Sequence, residues 1–141
     1  MRKLTTWNVA RFRTAYQRRG WTLQQVAVHS EIPYSAVRSY SAGGSTPTAG
    51  RLVKLARVLD VPTTELAPLT AAPTLHELRW HTGLTVVELA EAVGYSVSHT
   101  SNVLAGVVPI TDPPRWTKAL AVSAKRVAAA WEAARAEQVR E

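Results

Sequence analysis

Charge is the first chemistry this chain offers, and it lies at one end. Residues 1–70 hold ten Lys and Arg against Glu31, Asp60 and Glu65, a net of +7; residues 71–141 hold seven of each sign and sum to zero. A cationic half beside a neutral half draws polyanions, phosphates above all, toward the first half. Other chemistries have little to work with. His29, His76, His81 and His99 are scattered without ligand spacing, so no metal site is expected. No Gly-rich loop follows a strand, and no carboxylate pair stands out. The chain has no cysteine, which excludes disulfides, thiolate zinc sites and a cysteine nucleophile. Neither catalysis nor a cofactor is expected. There is no run of 18 apolar residues, and Met1-Arg2-Lys3 leads into polar residues. Membrane spanning and secretion are therefore not expected, and the chain reads as cytoplasmic.

The elements that must position these groups come in duplicate. Gly20-Trp21-Thr22-Leu23-Gln24-Gln25-Val26-Ala27 aligns with Gly83-Leu84-Thr85-Val86-Val87-Glu88-Leu89-Ala90 at an offset of 63. The alignment continues without a gap from Ser35, Val37, Tyr40 and Gly43 to Ser98, Thr100, Val103 and Gly106. Each copy predicts helix, tight turn, helix. No strand is evident, so the fold class expected is all-α, with a unit over 1–67, a Pro-bounded linker over 68–73 and a second unit over 74–141.

Helices are expected over Thr6–Arg19, Leu23–His29, Pro33–Ser41 and Thr48–Leu59, with a short turn of helix ending at Leu66. Phe12, Ala15 and Tyr16 make one apolar stripe, leaving Arg11, Arg13 and Arg18 solvated. Thr22 with Gln25, and Thr85 with Glu88, have the spacing of a capping box. Pro33 suits a first helical position. The second unit predicts helices over Leu75–His81, Thr85–Val93 and Ser96–Leu104. Asp112 is then expected to cap one long helix from Pro113 to about Gln138, free of glycine and internal proline. Its stripe of Trp116, Leu120, Ala124, Val127 and Trp131 leaves two outcomes open. The last turns fold back on the protein's own surface, or they form a dimer seam. The seam spans only about two heptads, which favours folding back.

A helix of about eight residues fits the major groove when a second helix crosses behind it and fixes its angle. Ala27 opposite Val37, and Ala90 opposite Thr100, supply small or β-branched residues where such helices approach. Gly94 stands where the turn between them needs positive φ. On these residues both units resemble the Xre/Cro/CI (lambda-repressor-like) helix-turn-helix family. The second does so through Gly83-Leu84-Thr85, Leu89-Ala90-Glu91-Ala92-Val93-Gly94 and Ser96-Val97-Ser98. The first does so through Gly20-Trp21-Thr22, Val26-Ala27, Ser35, Val37, Gly43 and the run Leu52–Val61. Leu23 and Val86 stand where the family has a phosphate-holding Gln. Glu31 replaces the turn glycine and Pro33 the capping Ser, so the first recognition helix is expected to enter at an altered angle. Beyond Pro109 the match to the family's fourth helix is lost.

The resemblance implies double-stranded DNA as partner, with base-facing positions early on the third helix and one turn later. These are Tyr34, Ser35, Arg38 and Ser39 in the first unit, with Arg38 suited to a guanine edge. In the second they are Val97, Ser98, Ser101 and Asn102, with His99 beside them and Asn102 suited to adenine. Phosphate contacts are expected from the backbone and hydroxyls of Gly43, Gly44, Ser45 and Thr46, from Thr48 and Arg51, and from Arg11 or Arg18 at the edge. Arg2 and Lys3 form a short basic arm with minor-groove reach.

The function implied is a sequence-specific transcription regulator, a repressor of phage or mobile-element type, with two non-identical reading heads. It would act as a monomer on an asymmetric site or as a homodimer through the C-terminal helix. The alternative keeps the first unit on DNA and makes the second a protein-interaction or dimerisation module, as in an antitoxin or co-regulator.

Overall fold

Asn8, not Thr6, starts the first helix. Its side chain accepts a hydrogen bond from the Arg11 N–H at 3.0 Å, which satisfies a donor that no helical carbonyl can reach. The chain is described by a computed structural model that covers residues 6–140. It divides into two units, Met1–Leu69 and Thr70–Glu141. Every regular element among the described residues is helical.

The first unit comprises α1 (Val9–Arg18), α2 (Leu23–Ser30), α3 (Tyr34–Ala42), α4 (Ala49–Leu59) and α5 (Thr63–Leu66). Thr22 and Gln25 form the expected capping box, the Thr22 N–H donating to Gln25 Oε1 at 2.7 Å. Thr48 caps α4 through the Arg51 N–H. Pro33 sits at the cap of α3 without a side-chain bond, one position before the helix that was expected to begin with it. Phe12, Val26, Val37, Leu52, Leu55 and Leu66 are fully buried and form the core, each contributing about 1.5–3 kcal/mol of apolar burial. The Asn8 N–H donates to the Leu66 carbonyl at 2.9 Å, closing the unit end to end.

Glu31 takes the left-handed conformation at φ 60°, ψ 29°, close to φ 79°, ψ 27° at Gly94. The turn thus keeps one backbone shape in both units, and the altered angle expected for α3 has no source at this residue. The side chain costs about 1 kcal/mol there. Glu31→Gly relieves that strain but gives the unfolded chain more freedom. The expected outcome is a net gain of about 0.5 kcal/mol, read as a rise of about 2–4 °C in the first unit's melting temperature.

The second unit comprises α6 (Leu75–Trp80), α7 (Val86–Val93), α8 (Val97–Leu104), α9 (Pro113–Leu120) and α10 (Ala124–Arg140). Thr85 and Glu88 form the second capping box, and Ser96 caps α8. Thr70, inside the expected linker, is held by Glu77 through two bonds of 3.1 and 2.7 Å.

The long helix expected from Pro113 is two helices. Ala121 turns left-handed at φ 57°, and Ser123 caps α10 through the Arg126 N–H. Asp112 precedes the first of them without capping it; its carboxylate pairs with Arg115 at 2.7 Å. The break reverses the chain, so that Val127, Ala130 and Ala134 are buried within their own unit and the Trp131 indole N–H donates to the Val108 carbonyl at 2.9 Å. Burial of that face offsets the cost of a left-handed alanine, about 1–2 kcal/mol. Folding back, not an open seam, is the outcome for this stripe.

In α6, Arg79 is buried, donates to the Leu84 carbonyl at 2.7 Å and lies over the Trp80 ring. Its Nε and the Trp80 Nε1 are buried without a hydrogen-bond partner among the described residues. Burial also pushes the next side chain, His81, below its ordinary 6.5, with Glu77 pulling the other way. Above pH 6.5 the imidazole is neutral whether the chain is folded or not. As pH falls below that value the unfolded chain takes up the proton first, so stability declines until the folded histidine also titrates. Melting curves between pH 8 and pH 5.5 are expected to show this loss in the parent and a smaller one in His81→Gln.

Candidate nucleic-acid interface

α3 carries two faces set by its pitch. Val37, Tyr40 and Ser41 point into the core, so Tyr34, Ser35 and Arg38 emerge together on the opposite side. Tyr34 is 42% exposed, and Arg38 makes no hydrogen bond or ion pair among the described residues. An exposed guanidinium without a partner keeps its whole donor fork available.

The remaining first-unit candidates are more tied up. Ser39 is half-buried, and its hydroxyl lies 2.7 Å from that of Ser45, joining α3 to the following loop. The Gly44 N–H donates to the Ser39 carbonyl at 2.9 Å. That N–H is engaged within its own loop, although Gly44 itself is exposed. Ser45 is exposed and Thr46 half-buried. The Thr48 hydroxyl accepts from the Arg51 N–H, while the Arg51 guanidinium donates to the Tyr40 hydroxyl at 2.9 Å. Arg11 lies 3.6 Å from Glu65 on the surface, and Arg18 is exposed. Arg2 and Lys3 lie outside the described residues.

What sequence reasoning missed is the clamp that aims α3. Arg13 is exposed, as expected, and also donates to the Ser41 carbonyl through Nε and Nη2 at 3.2 and 2.8 Å. The Trp7 indole N–H donates to the Tyr40 carbonyl at 3.1 Å. These three bonds hold two carbonyls at the C-terminal end of α3, where helical partners run out. The second unit does the same with residues from its other end. Trp131 holds the Val108 carbonyl and Arg135 the Gly106 carbonyl, both on the loop after α8. A Trp followed by an Arg, six residues apart in one unit and four in the other, was the only signal.

On α8, Val97, Ser98, Ser101 and Asn102 are exposed opposite the buried Thr100, Val103 and Leu104. His99 is half-buried with its ring 4.7 Å from that of Tyr95, so it does not project with them. α8 contains no Lys or Arg. Arg115, third in α9 as Arg51 is third in α4, is occupied by Asp112 and by the Val93 carbonyl. Glu88 stands where the first unit has Gln25. Among the described residues no group of three or more His, Asp and Glu could hold a metal ion, and no helix is long and apolar enough to cross a membrane.

A pair of helices joined by a left-handed turn, the second showing a polar, cation-bearing face, defines a helix-turn-helix domain. Residues 12–66 match the protein-family model described as Helix-turn-helix. That segment runs from within α1 through α5, so the likeness to helix-turn-helix proteins lies in the first unit. No curated protein and no solved structure matches the chain.

Proposed function

We propose that this protein is a sequence-specific regulator that binds double-stranded DNA through its first unit, a repressor of phage or mobile-element type acting by operator occlusion. The observation that carries this reading is the exposed face of α3, with Tyr34, Ser35 and an Arg38 that has no partner among the described residues, in the half of the chain that holds all the excess positive charge. Arg38 supplies base readout, while Ser45, Thr46, Thr48 and Arg51 face phosphates and fix register. In the lead reading the second unit is another reading head, and one chain recognises an asymmetric site.

A second reading makes that unit a protein-interaction module. The absence of a cation on α8 and the engagement of Arg115 favour it, since backbone binding rests on Lys and Arg. α10 spends its most apolar face at home, so a homodimer would have to use another surface.

Selection of bound sequences from random DNA by the full chain, at stated salt, tests the reading, together with the mass of the complex. One enriched motif and an affinity that falls steeply with salt are expected. No enrichment above random DNA overturns it. Ser98→Ala with Asn102→Ala then separates the two roles of the second unit. Loss of preference at a defined base step marks a reading head, whereas unchanged DNA binding marks a module.

A further inference from the structure

We propose that a cleft within the second unit, between α10 and the loop before α9, is a binding site for a small apolar amine. The cleft has a volume of about 360 Å³, inside the range of about 300–1,000 Å³ typical of small-molecule sites. Pro109, Ile110 and Pro113 form one wall. Two prolines in five residues hold that wall stiff, so the space exists before a ligand arrives. Val127, Ala128 and Trp131 form the other, on one face of α10. Ala128 is exposed and leaves the gap that a larger side chain would fill.

The polar groups select the ligand. The Trp131 N–H is committed to the Val108 carbonyl, so the ring offers the cleft only apolar surface. Arg135, the cation over that ring, is committed to the Gly106 carbonyl. Glu132 lines the cleft, is exposed, and makes no hydrogen bond or ion pair among the described residues. One free carboxylate beside an apolar hollow favours an ammonium on an apolar body and repels the corresponding acid. A second copy of the chain is a poorer occupant. Eight residues line the cleft, against about 20–30 per side in a stable protein interface. This site does not depend on the DNA reading of the first unit.

The test is titration of the full chain with phenethylamine, followed by ¹H–¹⁵N correlation spectra, with 3-phenylpropanoate as the matched acid. Shifts are expected at the Trp131 indole N–H, Ile110 and Glu132, with a dissociation constant on the order of 1 mM for so small a probe. The acid is expected to bind about tenfold more weakly, a gap that Glu132→Gln closes. Ala128→Leu, at an exposed helical position, is expected to abolish the shifts and keep the parent's melting temperature; Ala124→Leu serves if it does not fold. No saturable shift, a shift that survives filling of the cleft, or equal affinity for amine and acid overturns the proposal. So does a dimer, by mass at the same concentration, that Ala128→Leu dissociates, since a second copy would then be the occupant.

Discussion

Gly106→Ala is expected to undock α10 and destabilise the second unit by at least about 3 kcal/mol, while Gly43→Ala, its counterpart 63 residues earlier, costs about 1 kcal/mol. Both glycines are left-handed, at φ +76° and +80°, so an alanine is strained at either. The difference lies in what the new methyl meets. At Gly43 the nearest atom is a Val9 methyl at 3.8 Å, an ordinary contact. At Gly106 a Cβ would stand 2.6 Å from Arg135 Cα and 2.8 Å from the Ala134 carbonyl carbon, with Arg135 N nearer still. These are backbone atoms of α10 and cannot swing aside. The helix must back away, which breaks the Arg135 bond to Gly106 and the Trp131 bond to Val108 and opens the packing over Val127, Ala130 and Ala134. Denaturant unfolding followed by tryptophan fluorescence checks this. Equal losses for the two substitutions would show that α10 does not rest on Gly106.

The same contact explains what was and was not legible in the sequence. Local rules wrote the two capping boxes, the stripe of Phe12, Ala15 and Tyr16, and the left-handed Gly94, so the helices up to Leu104 were readable within a residue at most ends and within three at the start of α1. The break at Ala121 was not. An alanine-rich run without Gly or Pro has no local reason to stop, and the gain that compensates the left-handed alanine comes from Gly106 and Val108, distant in sequence. The Arg13 bond was not legible for the same reason: the side chain is exposed, as its place off the apolar stripe predicts, yet it reaches a carbonyl 28 residues on. On α3 the pitch of the helix was enough to gather Tyr34, Ser35 and Arg38. It was not enough to show that Ser39 and the Gly44 N–H close on their own loop. Nor could the base-facing register of α8 show that His99 leans on Tyr95.

Arg38→Ala is expected to weaken binding to the selected sequence by roughly 5- to 150-fold, the equivalent of about 1–3 kcal/mol for one bidentate base contact. Binding to random DNA should change far less, so the ratio between the two falls with it. The reason is geometric. Arg38 stands on the α3 face that the Trp7 and Arg13 clamp holds in place, and no carboxylate competes for it among the described residues. Arg38→Lys separates charge from shape. It keeps the cation, and with it the salt dependence, but loses the fork that grips two acceptors of one guanine, so it should resemble the alanine variant in selectivity and the parent in salt slope. Arg18→Ala is the complement. A cation at the edge of the unit contributes to phosphate attraction alone, so its removal should lower affinity for every sequence alike and reduce the salt slope by about one. If Arg38→Ala and Arg18→Ala behave identically, both lowering affinity without touching preference, then α3 lies on the backbone, not in the groove, and sequence is read elsewhere on the chain.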